Sequence, residues 1–591
     1  MNQWPRRFFS LMLTCCLVFT GCQSPSQDMA ASDTASESRQ MDFDTFTETI
    51  FAESVSSDAL TLHYTLQDPE AYGISLDEIT FGRMALDDEA YQSDEKETQR
   101  LLEQLRTYEG ADLDEDQQIT YEVLEYYLET ALSASGLEYY SEVLEPSIGL
   151  QSQYPIVLCE YEFNSREDID TYLTLLEDFD DFFQNLIDYE QARSEKGLFM
   201  SDAAADATIQ ECEDFIASPQ DNMLIDVFNE KIQAFDGLTD EEKNTYMDRN
   251  RSIVLETVVP AYQILIDGLT ALKGTGTNDL GLCYYDRGKD YYEYLLRSSV
   301  GTDKTPEELL TMLDERMQSA FMTMMLIYQQ NPDIYEEWES ASYRSDDPNE
   351  ILEYMKTAIA DRFPEAADVD YVTKNVHESL TDSLSPALYL IPQIDDYQNN
   401  VIYLNLNDNY GNELFPTVCH EGYPGHLYQT TYFYSQDPNP LRCALAFTGY
   451  SEGWASYVEE MSYDYSGMSE DVSQFIAANY ALSMCIYAYV DIGIHYNGWD
   501  KEQTSQFLSQ YLVLDDETLT QIYETVLFSP GNYLNYCIGS LEIQDLRQTA
   551  EDTLDDAFDE KAFHQFILDM GPAPFSIIEN HMQDWFAAMT D

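Results

Sequence analysis

Two histidines and a glutamate lie close together in an apolar stretch of a chain that has only seven histidines. Residues 417–426 read Thr-Val-Cys-His-Glu-Gly-Tyr-Pro-Gly-His, which places His420, Glu421 and His426 within ten positions. Imidazole nitrogens are common ligands of Zn²⁺, and a neighbouring glutamate can take a proton from a metal-activated water. The stretch therefore predicts the start of a zinc hydrolase site, with His420 and His426 as metal ligands and Glu421 as the general base.

The spacing of these two histidines does not fit a regular helix. Histidine ligands on one helix are usually four residues apart, whereas six steps of ~100° turn the second side chain well away from the first. Pro424 and Gly425 lie between them. Proline disfavours a helical conformation at the residue before it, and glycine accepts unusual backbone angles. We therefore expect a two-residue bulge at Pro424–Gly425 that returns His426 to the face of His420.

A third metal ligand is expected in a helix downstream. The segment Ser-Glu-Gly-Trp-Ala at residues 451–455 resembles the Asn-Glu-Gly-Phe-Ala type of motif of gluzincin peptidases, in which the glutamate binds zinc. This resemblance implies that Glu452 is the third ligand. Glu459 lies about two helical turns farther on, so it shares the face of Glu452 and could orient a ligand histidine. Three protein ligands would leave one position at the metal for water.

Three further residues are candidates for contact with a substrate. A carbonyl attacked by water develops an oxyanion that needs a hydrogen-bond donor, and His495 or Tyr536 could supply it. Arg547 follows Tyr536 on the same predicted helix and could pair with a carboxylate of the substrate. The alternatives are a hydrogen-bonded core histidine, a packed tyrosine and a structural ion pair, and the sequence leaves them open.

The beginning of the chain resembles an export signal. A basic start precedes a short apolar run at residues 8–19, which is too short to span a membrane. The residues before Cys22 resemble a bacterial lipoprotein cleavage site, so we expect residues 1–21 to be removed and Cys22 to be lipidated. Residues 22–40 are rich in Ser, Ala, Asp and Gln and predict a flexible tether. The expected location is outside the cytoplasm, with this lipid as the only membrane attachment.

The charge of the chain excludes one large class of partners. There are 111 acidic residues against 28 basic ones, which gives a net charge of -83. Nucleic-acid binding needs clustered Lys and Arg, so nucleic acid is not an expected partner. The same imbalance disfavours binding to an anionic membrane surface.

The rest of the chain predicts a mainly α fold of two lobes. Helical periodicity dominates, and two capping boxes, at residues 239–242 and 305–308, mark the starts of long helices. A Gly- and Thr-rich joint separates an N-terminal helical lobe, residues 41–275, from a catalytic lobe, residues 276–591. Residues 401–406 predict a strand that could form the edge of a small sheet, to which an extended peptide could add. We expect this small β-sheet to lie beside a deep active-site cleft.

Beyond the histidine stretch, the chain resembles a bacterial family called domain of unknown function 885, whose members carry HExxPGH in place of HExxH. The likeness covers most of the chain after about residue 280, and its segments occur in the expected order. They are residues 291–297, 305–308, 452–454, 495–499 and 530–539. The resemblance implies a mostly helical, cleft-bearing zinc hydrolase related to gluzincin metallopeptidases, without defining its substrate. Members often carry a second histidine after the position of His426, whereas Leu427 stands there in this chain.

These observations favour a zinc-dependent metallopeptidase that acts on peptides or other small amides. Glu421 would serve as the base, and Zn²⁺ suits a site of two imidazoles and one carboxylate. One alternative is a surface lipoprotein that binds peptides or other ligands and has a purely structural metal site. Such a site has no need of a base, so Glu421 argues against it. Another alternative keeps the hydrolytic chemistry but changes the substrate to a non-peptide amide or ester.

Overall fold

The computed structural model describes residues 41–76, 78–376, 387–405 and 414–590, and these residues form two compact units. One unit contains the described residues of 41–104 and 135–279. The other contains residues 105–134 and the described residues from 280 onward. The predicted leader at 1–21 and the tether at 22–40, which includes Cys22, lie outside the described residues.

The prediction of a mainly helical fold with a small sheet is confirmed. Local sequence signals account for many helix starts. Both expected capping boxes form, at Thr239 and Thr305: each hydroxyl accepts the N–H of the residue three positions later, and the glutamate there bonds back. The π-helical turn Val254–Val258 precedes helix Val259–Leu272, whose first turn contains a proline.

The unit formed by residues 41–104 and 135–279 is built from α-helices in its described part. Its hydrophobic core is rich in aromatic rings, including the stacked pair Tyr154 and Phe182. The helices are Phe43–Val55, Ala59–Thr65, Asp88–Leu105 (whose last residue belongs to the other unit), Leu150–Glu160, Arg166–Glu177, Phe179–Glu195, Asp202–Ile216, Met223–Ala234, Asp240–Ile253 and Val259–Leu272.

The second unit contains the predicted chemistry and combines helices with a sheet. Its α-helices are Glu115–Ser133, Gly288–Leu295, Pro306–Gln330, Ile334–Ser340, Pro348–Ala358, Leu414–Glu421, His426–Tyr434, Pro440–Ala444, Thr448–Ser462, Glu470–His495, Lys501–Leu508, Asp516–Phe528, Asn532–Leu554, Glu560–Met570 and Phe575–Thr590.

The centre of this unit is a packed group of long helices. Helix Thr448–Ser462 packs extensively on Asn532–Leu554, and helix Pro306–Gln330 packs on Glu470–His495. Helix Glu470–His495 has the length and composition of a membrane span, but 83% of its most apolar window is buried inside the structure, as in the core helix of a globular protein. Its apolar character is therefore explained by packing.

The described strands form one three-stranded sheet in the order β1-β3-β2. Strand β1 is Asp370–Asn375, β2 is Ala387–Leu390 and β3 is Asn399–Leu404. Strand β3 pairs in parallel with β1 and antiparallel with β2. The strand predicted at residues 401–406 is therefore present as β3, but its predicted edge position is wrong, because it lies between the other two. Its buried side chains fit this central position, and β1 and β2 form the two edges of the described sheet instead.

Candidate metal centre

The two predicted histidine ligands lie on two successive helices. The first histidine helix, Leu414–Glu421, carries His420 in its last turn, and the second histidine helix, His426–Tyr434, begins at His426. The expected two-residue bulge within one helix is wrong, because the chain leaves the helical path over all of residues 422–425. Pro424 has no N–H for a helical hydrogen bond, so the first helix ends and a new one begins beyond it. The Tyr423–Pro424 peptide bond is cis.

Gly425 folds back against the end of the first histidine helix. Its N–H donates to the carbonyl oxygen of Cys419 at 3.1 Å. A Cβ at position 425 would overlap the carbonyl oxygen of His420, so only glycine fits this close approach. The return of the chain brings His426 beside His420, with ring centroids 4.8 Å apart and ring planes at 81°. The break in the helix thus brings the rings of His420 and His426 together, which their six-residue spacing would not allow in a regular helix.

The third predicted ligand lies on what we call the glutamate helix, Thr448–Ser462. Glu452 is fully buried, and its Oε2 lies 3.5 Å from Nε2 of His420 and 3.4 Å from Nε2 of His426. One ligand atom from each of the three side chains lies within 4.8 Å of the other two. Among the described residues, neither Nε2 atom has a hydrogen-bond partner. Two buried nitrogens without hydrogen-bond partners among these residues, with a carboxylate beside them, form a set that could bind a metal ion.

Glu459 completes the support of the first ligand. Its Oε2 lies 2.9 Å from Nδ1 of His420, which leaves Nε2 of the same ring directed toward Glu452. The hydroxyl of Tyr480, from helix Glu470–His495, donates to the same oxygen of Glu459 at 3.0 Å. A carboxylate that accepts the second ring N–H of a ligand histidine fixes its tautomer and its orientation. The structure thus places Glu459 beside the ring of His420, as its spacing predicted, and its role in orienting a metal ligand stays a prediction.

The buried charges of the site affect one another in the metal-free protein. Burial by itself would lower the pKa of His420, but its contacts with Glu452 and Glu459 raise this pKa well above its usual value. Burial acts to raise the pKa of Glu452, yet the charge of His426 and the contact with His420 hold it far below its usual value. Both shifts describe a carboxylate paired with imidazolium. A metal cation could replace those protons, since it supplies positive charge at the same atoms.

Glu421, the predicted base, is held by the neighbouring sheet. The backbone N–H of Tyr389, in the edge strand β2, donates to Oε2 of Glu421 at 2.9 Å. Only 1% of the Glu421 surface is exposed, and this burial raises the pKa of its carboxyl, partly offset by the charges of His420 and His426. The sheet therefore holds the Glu421 carboxyl in place directly after His420 in the chain.

The glutamate helix also holds the break between the two histidine helices. The indole N–H of Trp454 donates to the carbonyl oxygen of Pro424 at 2.9 Å, and both groups are buried. This bond satisfies a carbonyl that has left the helical pattern. The residue two positions after Glu452 therefore sets the path of the chain that leads to His426.

Three glycines let the glutamate helix approach its neighbour closely. Gly449 and Gly453 face Gly539 of helix Asn532–Leu554, and a Cβ on Gly453 would overlap the backbone of Gly539. Since Gly453 follows Glu452 directly, this crossing fixes the position of the glutamate helix along and around its axis, and so fixes where the Glu452 carboxylate lies. The glycine of the Glu-Gly-Trp motif is thus explained by helix packing.

We expect Gly453→Ala to destabilise the protein by about 1–3 kcal/mol and to lower metal affinity, because the helices must separate and move Glu452. Ser451→Ala is the matched control, since it changes a partly exposed side chain on the same helix. Thermal unfolding and a metal titration of both variants test this expectation. A Gly453→Ala protein that melts and binds metal as the Ser451→Ala control does would contradict it.

Removing the charge of Glu459 is expected to weaken the metal site without abolishing it. We expect Glu459→Gln to lower zinc affinity by about 10–100-fold, because His420 loses the acceptor that orients its ring. Occupancy of the site should recover when zinc is raised to saturation. Competition with a chelator of known affinity measures the change. An unaltered affinity would show that Glu459 does not orient the ligand.

The structure does not place His495 among the candidate ligands. Its Nε2 contacts the carbonyl oxygen of Val526 at 2.9 Å, and its Nδ1 accepts the N–H of Leu282 at 3.3 Å. Both ring nitrogens are thus engaged by backbone groups, and burial lowers the pKa of His495 to about 4. The role of His495 as an oxyanion donor is therefore wrong in this geometry: it is a neutral, hydrogen-bonded core histidine.

Tyr536 and Arg547 lie on the same helix but in different surroundings. Tyr536 is buried and lines a small cavity together with Ser456, one turn beyond Glu452 on the glutamate helix. Its role as a donor to the substrate stays a prediction. Arg547 donates to Glu551 and to the hydroxyl of Tyr457, and it pairs with Glu560 at 2.9 Å. These contacts fit the structural alternative for Arg547 and leave its guanidinium committed within the protein.

Two contributors to the site were missed by sequence reasoning. The backbone N–H of Tyr389 and the hydroxyl of Tyr480 each bind a carboxylate of the site. A backbone donor has no side-chain signature, and Tyr480 is one of 45 tyrosines, so no local signal could have singled out either.

Comparisons with known proteins agree with the fold. A family model described as "Bacterial protein of unknown function (DUF885)" matches residues 83–582. A candidate lipoprotein of Colwellia psychrerythraea has a similar structure, with a TM-score of 0.79 and 20% identity over 92% of this chain and 99% of that chain. A candidate lipoprotein of unknown function from Shewanella oneidensis gives a TM-score of 0.62 and 16% identity over 92% and 100% of the two chains. At these identities, the likeness shows a shared fold. A search of curated proteins found no match.

Proposed function

The chain belongs to the DUF885 family of bacterial proteins, and we propose from the chemistry of its buried site that it is a zinc-dependent hydrolase that cleaves peptide bonds. The observation that carries this proposal is the convergence of His420, His426 and Glu452 within 4.8 Å of one another. Glu452 comes from a separate helix, the glutamate helix, so its meeting with the two histidines is not a consequence of sequence proximity. A base, Glu421, is adjacent to the first ligand in the chain.

The ligand set suits zinc. Two imidazole nitrogens and one carboxylate are the protein ligands of several catalytic zinc sites, and Glu459 supplies the expected support behind one imidazole. A bound zinc ion would lower the pKa of a water molecule and polarise the carbonyl group of a substrate. Three ligands from the protein would leave a position open for that chemistry, which a closed structural site does not have.

Glu421 is proposed as the group that takes the proton. Its carboxylate is oriented by the Tyr389 N–H, so it does not have to be immobilised during the reaction. Its burial excludes bulk water, which would otherwise compete for the proton and screen the charges of the site. A structural metal site would gain nothing from such a residue, and this favours hydrolysis over binding.

A peptide substrate is favoured by the position of the sheet. Strand β2 is an edge of the described sheet, and its Tyr389 contacts the proposed base. An extended peptide can add to a strand edge through backbone hydrogen bonds. Because the N–H of Tyr389 is already bound by Glu421, such a peptide would have to pair beside Tyr389, which would bring its carbonyl groups near the base. A small amide or ester could use the same base without this edge, so substrate length distinguishes the two classes.

The proposed location is outside the cytoplasm, with a lipid on Cys22 as the anchor. Two features support it: the sequence before Cys22, and the description of both structural neighbours as candidate lipoproteins. A radiolabelled fatty acid should be incorporated by the full chain and lost in Cys22→Ser. Equal labelling of the two proteins would contradict the anchor.

The experiment that tests the proposed activity is the digestion of a defined peptide mixture by the full-length protein loaded with zinc. Mass spectrometry should reveal new peptide termini, and these should disappear after treatment with a chelator and return when zinc is restored. Glu421→Gln loaded with the same amount of zinc is the matched control. A zinc-loaded protein that cleaves no peptide in the mixture would overturn the peptidase proposal.

A further inference from the structure

Two buried cysteines contact each other outside the candidate metal centre. Cys485 lies on helix Glu470–His495 and Cys537 lies on helix Asn532–Leu554, and the thiol of Cys537 donates to the sulfur of Cys485 at 3.8 Å. Their exposed fractions are 1% and 3%. Among the described residues, these are the two cysteines whose sulfur atoms are in contact.

Polar and apolar side chains surround the pair. Both cysteines line a small cavity that is also lined by Arg316, Ser456 and Tyr536. The contact with Cys485 and burial raise the pKa of the Cys537 thiol well above its usual value, and the charge of Arg316 offsets this only in part, so the folded protein holds the pair as thiols. Packing therefore holds the two sulfur atoms in contact, while their burial favours reaction before the helices close around them.

We propose that Cys485 and Cys537 form a disulfide bond that joins their two helices. A sulfur–sulfur bond is about 2.05 Å long, so the atoms must approach by roughly 1.8 Å, a distance that rotation of the two side chains can share. The oxidant is a disulfide-bearing compound, of which oxidised glutathione is the simplest. One cysteine thiolate attacks its sulfur and releases one thiolate, and the second cysteine then displaces the other. Two electrons pass to the oxidant, and the two protons of the cysteines end on its two thiols.

The bond would fix the frame behind the metal centre. Tyr480, which holds Glu459, is five residues before Cys485 on one helix. Gly539, which contacts the glutamate helix, is two residues after Cys537 on the other. A covalent link between these helices would therefore restrain both the support of His420 and the crossing that positions Glu452. The link needs no metal and no substrate, so it stands whether or not the proposed activity is found.

The test is a count of reactive thiols in the full-length protein. The reduced protein is incubated with oxidised glutathione in two arms, one folded and one during refolding from urea, since the thiols are buried in the folded protein and exposed to the reagent in the unfolded chain. Each sample is then denatured and labelled with N-ethylmaleimide. We expect two fewer labels than in the reduced protein in at least one arm, and a proteolytic fragment in which Cys485 is linked to Cys537. An unchanged label count in both arms, or a link between other cysteines, would overturn the proposal.

Variants and thermal unfolding provide an independent test of the proposed disulfide. In Cys485→Ser the oxidant should remove no pair of labels, whereas Cys283→Ser, which changes a partly exposed cysteine elsewhere in the unit, should still lose two. Oxidation should raise the melting temperature of the unaltered protein by about 2 °C or more, because the bond restricts the unfolded chain. Cys485→Ser should melt at the same temperature with and without oxidant. An oxidised protein that contains the bond but melts no higher would contradict the restraint of the helices.

Discussion

Replacing Glu421 by glutamine is expected to lower the kcat of peptide hydrolysis by roughly 10²–10⁴-fold while the metal stays bound. Glutamine has nearly the same shape, and its amide can keep a contact with the N–H of Tyr389, but it cannot take a proton from water. The proposed metal ligands His420, His426 and Glu452 are untouched. Steady-state kinetics at saturating zinc, together with elemental analysis of the same samples, separates loss of the base from loss of the metal.

Comparison with Glu459→Gln distinguishes loss of the base from weakened metal binding. Both changes remove one carboxylate charge from the buried site, but the effect of Glu459→Gln should disappear at saturating zinc, because Glu459 acts through a ligand. The defect of Glu421→Gln should persist at any zinc concentration. If Glu421→Gln hydrolyses peptides at more than about half the normal rate with full metal content, Glu421 is not the general base.

Replacing Glu452 by glutamine is expected to remove metal binding and activity together. The Glu452 carboxylate is the group that both Nε2 atoms face, at 3.4 and 3.5 Å, and its charge compensates the cation. Loss of a residue that only supports a ligand costs about 10–100-fold in affinity, so loss of this ligand should cost more than about 10²-fold. Titration with zinc under chelator buffering measures the change.

The matched control for that variant is Glu460→Gln. Glu460 is on the same helix and pairs with Arg316, so its loss removes a carboxylate without removing a proposed ligand. We expect Glu460→Gln to bind zinc as the unaltered protein does. Equal weakening by both changes would mean that Glu452 acts through general charge and not as a ligand.

Features set by neighbouring residues could be predicted from the sequence. The two capping boxes form as expected, because a Thr and a Glu three residues apart satisfy each other's backbone groups whatever surrounds them. The strand at β3 was found for a similar reason, since β-branched and aromatic residues between turns define it locally. Its position in the sheet depends on β1 and β2, and no local pattern reports that order.

The candidate site also combines features that neighbouring residues set with features that depend on distant groups. Pro424 and Gly425 predicted a departure from the helix, but its extent depends on two distant groups: the His420 carbonyl that excludes a side chain at 425, and the Trp454 indole that holds Pro424. Glu452 was identified through a motif resemblance, and its meeting with the histidines depends on a helix crossing. The local sequence around His495 gives no hint of its two backbone partners, Val526 and Leu282.

The most direct test of the metal centre is a crystal structure of the zinc-soaked protein, with anomalous scattering measured on both sides of the zinc absorption edge. A single zinc peak should lie about 2.0–2.2 Å from Nε2 of His420, Nε2 of His426 and a carboxylate oxygen of Glu452. A zinc peak bound elsewhere, or no peak within reach of these three atoms, would contradict the account.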